Sequence, residues 1–165
     1  MVINLFKKYL RIILGIFVLC IIYTCTHNSH ELLTFPIKCN YVLTSGYGYR
    51  SFDNSFHNGI DCAASEGTPI YAMFNGIVTY SGFNSSGGNM LIIKYDNGYK
   101  SMYCHMANDI LVNKGARVKA GEQVGNIGPK YVSPGKLNGD TTGVHLHFSL
   151  FFNDKSINPL EQKYM

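Results

Sequence analysis

The chain has 165 residues and a formal charge of +4, with 12 Tyr, 10 Phe and 17 Gly but only 15% charged residues. That length holds one domain with a sizeable core and hardly two, and the composition argues against a disordered or coiled-coil chain. Lys7, Lys8 and Arg11 precede the first acidic residue, Glu31; without them the body is near +1, too neutral for the clustered basic footprint of a nucleic-acid binder.

The three basic residues stand before an apolar run, Ile12 to Cys25. Basic start plus apolar run is the layout of a signal peptide or signal anchor, assigned to residues 1–26. The run is short for a spanning helix and long for a simple signal core, and no A-x-A site follows. The expectation is an uncleaved hydrophobic helix in the membrane, with the body extracytoplasmic, in the periplasm or at the cell surface. Lys and Arg crowd one end only, which argues against a buried core helix. Neither Cys20 nor Cys25 follows the small-residue run of a lipoprotein signal. Residues 27–34, with His27 and His30, read as a short tether.

Residues 35–165 form the body. Turn signals recur every eight to twelve residues, as in an all-β domain built from antiparallel hairpins, sandwich-like in its sheet packing. The clearest hairpin is "GNMLIIKYDNGYKSMYCHM", where two Ile-, Leu- and Tyr-rich runs flank Asp96-Asn97-Gly98. "ANDILVNKGARV" admits one short helical turn at most. "GARVKAGEQVGNIG" reads as a tight hairpin of the kind lipoyl carriers use, but Lys119 lies before the turn rather than at its tip. Gly128 to Gly143 is the longest stretch without structure. Its Pro and Gly content argues against strand interior, and loops of this length tend to be functional rims.

Four histidines lie in or beside strand patterns. From Val144 to Phe151 the alternation puts His145, His147 and Ser149 on one face and Leu146, Phe148 and Leu150 on the other. In "SMYCHM", Ser101, Tyr103 and His105 share a face, with Met102, Cys104 and Met106 behind. In "FHNGIDCAAS", His57 and Asp61 flank Gly59, with Ile60 and Cys62 pointing behind. A buried Asp61 needs a cation or a hydrogen-bond donor; a histidine or a metal would serve. A catalytic zinc takes three protein ligands and keeps a fourth position open, and these segments offer five candidates. Two spare imidazoles would serve as general base and oxyanion stabiliser in peptide hydrolysis. Spacing alone does not say which three bind metal, and a closed four-ligand structural site is the competing reading.

Together these motifs resemble the lysostaphin-like (LytM-type) zinc endopeptidases that cleave peptidoglycan cross-links. The resemblance covers about Thr44 to Pro159, through "TSGYGYR", "FHNGIDCAASEGTPIYA", "NGIVTYSG", "VNKGARVKAGEQVGNIG", "TTGVHLHFSL" and "INP". It implies an antiparallel β domain of the duplicated-hybrid-motif type with a groove over the sheet. It implies His57, Asp61 and His147 as ligands of one zinc ion, His105 and His145 as catalytic residues, and Tyr49 or Arg50 near the groove. The implied partner is a peptidoglycan peptide; an activating protein is left open. The link from "VGNIG" to "HLH" is longer than usual, and Tyr95 stands where many members have histidine, but no ligand or catalytic position is lost. That completeness weighs against a non-catalytic cell-wall-binding or hydrolase-activating module. A phosphohistidine carrier with a related β fold would have no use for Asp61 or an export segment. Cys62 and Cys104 are expected behind their strands in the core, with a disulfide open to them only if those strands are neighbours.

Overall fold

In a computed structural model of the protein, Ile13 and residues 34–163 are described. The expected N-terminal helix, and all of the tether but Thr34, lie outside the described residues. Two units divide the chain, Met1–Glu31 and Leu32–Met165. Among the described residues no helix is long and apolar enough to cross a membrane.

The second unit is built from fourteen short strands. They are β1 (Val42–Ser45), β2 (Gly48–Arg50), β3 (Ser55–His57), β4 (Ile60–Ala63), β5 (Pro69–Tyr71), β6 (Gly76–Asn84) and β7 (Gly88–Tyr95). Then come β8 (Tyr99–Cys104), β9 (Arg117–Val118), β10 (Gln123–Asn126), β11 (Tyr131–Ser133), β12 (Lys136–Leu137), β13 (Leu146–Phe152) and β14 (Lys155–Ile157), before a 3-10 turn at Pro159–Glu161. The main sheet runs β1-β4-β13-β8-β7-β6-β9, with β14 also paired to β13, and every pairing is antiparallel. The all-β expectation holds.

The core lies against one face of this sheet. Ile60, Leu91, Ile93, Leu146, Phe148 and Leu150 are buried there, and Ile70 and Val124 join them from the small β10–β5 sheet. Burying a side chain of this size contributes roughly 1.5–3 kcal/mol. The opposite face of the central strands carries the histidines and Asp61 together with Met90, Met102 and Cys104.

Several segments fold differently from the local expectation. "GARVKAGEQVGNIG" is not a hairpin: its turn is present, but β9 pairs with β6 and β10 with β5. The stretch 128–143 contains a hairpin, β11–β12, turned at Pro134-Gly135. Gly135 has φ +74°, which suits the third position of a Pro-Gly type II turn. Residues 107–116 hold only bends and turns.

Strand β8 faces the opposite way from the expected alternation. Directly paired residues of an antiparallel sheet share a face. Tyr103 pairs with Phe148, and Cys104 with His147. Ser101 and Tyr103 therefore face the core, whereas Met102 and Cys104 face the polar side. Ser101 and Tyr103 are tolerated inside because the Tyr95 hydroxyl lies 2.6 Å from the Ser101 hydroxyl and 2.9 Å from that of Tyr103. His105 still reaches the polar side, because its φ of +59° turns the chain over just past the strand end. Cys62, paired with Leu146, faces the core. The β4-β13-β8 order puts a whole strand between Cys62 and Cys104. Two strand steps are roughly 9–10 Å, beyond the reach of about 7 Å that a disulfide allows. Both are free, buried thiols, pushed up to about 12 by burial and then by the Asp61 charge.

Candidate metal centre and its cleft

Three elements bring four of the five predicted residues together, and His105 joins them from just past the end of β8. The β2–β3 hairpin ends at His57, β4 carries Asp61, and the β13 segment supplies His145 and His147. Gly59 lies between the first two. A Cβ there would sit 2.5 Å from the Phe148 carbonyl oxygen and 2.7 Å from Ser149 Oγ. Its φ is not positive, so it serves close approach to β13 rather than a special bend. That contact lets His57 and Asp61 stand over His147.

The atoms converge tightly. His147 Nδ1 is 2.9 Å from Asp61 Oδ1 and 3.0 Å from His57 Nε2, and His57 Nε2 is 3.3 Å from Asp61 Oδ1. Two ligands 2.0–2.1 Å from a tetrahedral zinc lie about 3.3 Å from each other. The triangle is thus close to one face of such a tetrahedron. Among the described residues, this trio is the cluster that could hold a metal ion.

Hydrogen bonds around the rim settle the proton positions. A carbonyl can only accept, so His57 Nδ1–H donates to Gly46 O at 2.8 Å, His145 Nδ1–H to Gly143 O at 3.0 Å and His105 Nδ1–H to Asn138 O at 2.6 Å. Ser149 Oγ gives its proton to Asn58 Oδ1 and so accepts from His147 Nε2–H at 2.9 Å. In the neutral form each ring then turns a lone pair inward. The Asp61 carboxylate faces lone pairs from His57 and His147, with His145 Nε2 at 3.7 Å. Converging acceptors without a donor require a cation, and outer hydrogen bonds of this kind orient histidine ligands.

Burial pushes the Asp61 carboxyl up; when the inward nitrogens of His147 and His57 carry protons in place of a cation, their hydrogen bonds outweigh it and hold the group well below the usual carboxylate range. Burial pulls His57 down; the Asp61 and Gly46 hydrogen bonds outweigh that and the opposing Arg50 charge, leaving it above its ordinary value. Burial pushes His105 down to about 4, so it is a neutral imidazole at neutral pH.

The site opens into a cleft of about 370 Å³, which Arg50, His105, His145 and Asp140 also line. His105 and His145 stand side by side, ring centroids 4.7 Å apart. Arg50 joins them because Gly48 pairs with His57 and Arg50 with Ser55, which puts Arg50 and His57 on one face. Tyr49 alternates to the other face, is 66% exposed and does not line the cleft. Asn138 carries no mark in the sequence. It is fully buried, its carbonyl holds His105, and its side chain ties Asn89, Met106 and Pro129 together. An Asn-Gly pair in a long loop reads as an ordinary turn, and no periodicity marks it.

Residues 55–159 match the model of Peptidase family M23. The chain belongs to peptidase family M23. Among curated relatives, this M23 chain is 37% identical over 103 residues to the peptidoglycan DD-endopeptidase ShyC of Vibrio cholerae, a match covering 62% of this chain and 22% of that protein. Its fold matches a zinc containing peptidase from Vibrio cholerae with TM-score 0.68 and 28% identity, over 81% of this chain and 41% of the other. It matches the catalytic domain of lysostaphin from Staphylococcus simulans with TM-score 0.59 and 29% identity, over 73% of this chain and 90% of that domain. The recognition of a lysostaphin-type domain therefore holds. The M23 chain spans about a quarter of the length of the first curated relatives it matches.

Proposed function

We propose that this M23 protein is a zinc-dependent endopeptidase that hydrolyses peptide cross-links of bacterial peptidoglycan. The observation that carries the reading is the inward convergence of His57, Asp61 and His147 beside two further imidazoles in one cleft. His57 Nε2, Asp61 Oδ1 and His147 Nδ1 would hold one zinc ion. Bound there, zinc supplies Lewis acidity toward the scissile carbonyl and lowers the pKa of the attacking water.

The remaining work falls to the chain's own groups. His105 and His145 each present an inward Nε2 lone pair. One takes a proton from the water as its oxygen bonds to the carbonyl carbon. As imidazolium it returns that proton to the departing nitrogen when the C–N bond breaks. The other, protonated, donates to the oxyanion. The Asn138 and Gly143 carbonyls keep both rings in the required tautomer. Gly46 and Ser149 do the same for the two metal-facing rings.

The body would be residues 35–165, held by residues 27–34 to a signal anchor in residues 1–26, and it would work outside the cytoplasmic membrane. The three basic residues before the apolar run support that placement. The test is digestion of cross-linked muropeptides with and without chelator. Chelator-sensitive cleavage is expected, and no cleavage of any cross-link type would refute the reading. The second reading, a non-catalytic module that holds the cell wall or a partner hydrolase in the same cleft, gains support if the protein binds sacculi and contains no metal.

A further inference from the structure

Arg50 is the one formally cationic side chain among the described residues lining the cleft. The mechanism above leaves it without a role. It sits one diagonal step across the β2–β3 hairpin from the metal-facing His57, a Cα separation of roughly 7–8 Å. Its charge is felt at that imidazole.

The guanidinium is braced but not saturated. Nη2 lies 2.7 Å from Asp53 Oδ2 and donates to Ser55 Oγ at 3.0 Å. Ser55 Oγ also donates to Asp53 Oδ1 at 2.8 Å, so the clamp is closed on itself. The buried Nε has no acceptor among the described residues. Nη1 likewise has no hydrogen bond among them, and the side chain remains 26% exposed. A pre-aimed guanidinium with spare donors at a partly desolvated site is a carboxylate receptor.

We propose that Arg50 binds the free carboxylate of the amino acid whose nitrogen leaves when the scissile amide is cut. This rests on the peptidase reading and narrows its substrate. A D-alanyl bridge to a diamino dicarboxylic acid such as diaminopimelate carries such a carboxylate on the very carbon that holds the departing nitrogen; a bridge to the side-chain amine of a monocarboxylic diamino acid does not. An internal bond of a glycine bridge carries none, and would cover the free Nη1 donors without giving them an acceptor, Asp53 engaging Nη2 alone. Arg50 therefore selects D-alanyl cross-links with an unmodified acceptor carboxylate over glycine bridges and over acceptors whose carboxylate is amidated.

The experiment uses the full zinc-loaded chain and two muropeptide dimers that differ only in a free carboxylate or a primary amide beside the scissile nitrogen. The wild type is expected to favour the free carboxylate at least tenfold in kcat/KM. Arg50→Gln should erase that preference by slowing only the carboxylate dimer, and Arg50→Lys should restore part of it. Equal wild-type rates on both dimers, or an equal loss on both in Arg50→Gln, would overturn the proposal; Arg50 would then only brace the hairpin. If neither dimer is cut, the peptidase reading fails, and calorimetry decides the site alone. Tighter binding of the carboxylate dimer, lost in Arg50→Gln, upholds it, and equal binding overturns it. A stem peptide ending in D-alanyl-D-alanine separates the two sources of this carboxylate. An Arg50-dependent rate extends the site to terminal carboxylates, and cleavage of the cross-link alone confines it to bridges. Arg50-independent cleavage of the stem peptide counts against it.

Discussion

Replacing Asn138 tests whether the long 128–143 segment is part of the site. Asn138→Ala keeps the backbone carbonyl that holds His105 but removes three side-chain bonds, two of them buried and one partly buried. These are the Oδ1 acceptor for Asn89 N–H at 2.9 Å and the Nδ2 donors to Met106 O and Pro129 O, each at 3.0 Å. A buried polar group stripped of its partner costs about 1–3 kcal/mol. Met106 O keeps its Asn89 Nδ2 donor at 3.2 Å, so two groups are stripped, Asn89 N–H and Pro129 O; sharing one cavity, and so less than additive, they give about 2–4 kcal/mol, a large part of a typical domain's stability. Asn138→Asp sharpens the test. It is nearly isosteric, yet at neutral pH it turns carboxylate oxygen toward two carbonyls. It should be at least as destabilising as alanine, and milder in acid, where the protonated carboxyl can donate again. Urea unfolding of wild type and both variants at pH 7 and pH 5 reads this out. A loss below about 1 kcal/mol in Asn138→Ala, or an aspartate variant more stable than the alanine one at pH 7, would refute the reasoning.

Three further outcomes follow from the same geometry. His105→Ala should retain zinc but lose cleavage, whereas Asp61→Ala should lose both; metal analysis beside activity separates them, and zinc missing from the His105 variant would refute the division of roles. His105 takes its proton near 6.5 when unfolded but only near 4 when folded. The unfolded state therefore binds more protons between those values, so this group's contribution is present above 6.5 and is lost as pH falls toward 4. The loss reaches about 3 kcal/mol. In metal-free protein, His105→Gln should flatten the fall in unfolding free energy over that window. Gly59→Ala forces a Cβ against the Phe148 carbonyl oxygen; it should cost about 1–3 kcal/mol and weaken zinc affinity by moving His57 and Asp61 away from β13, both measurable by calorimetry.

The sequence made β13 legible because its period-two pattern is uninterrupted: His147 and Ser149 face the cleft while Leu146, Phe148 and Leu150 are buried. Asp96-Asn97-Gly98 likewise marked the β7–β8 turn. Strand β8 misled for two physical reasons. Ser101 and Tyr103 are polar by type but satisfied by one another through Tyr95, so they can occupy the core. His105 lies in the left-handed region, which no alternation rule anticipates. The partners of β9 and β10 are distant in sequence, so a local hairpin pattern suggested the wrong pairing. Asn138 acts through contacts with three separate segments and leaves no local signature. The five site residues could be listed from their types and motifs, but their tautomers follow from backbone carbonyls that only the fold brings near.

The most direct measurement is zinc titration into metal-stripped protein while D-alanyl cross-linked dimers are digested and the products weighed by mass spectrometry. The expected result is no cleavage without metal, and monomeric products whose rate rises linearly until one ion is bound per chain. Cleavage that persists in the stripped protein, or no cleavage at full occupancy, would contradict the assignment of His57, Asp61 and His147 as the zinc site of a working endopeptidase.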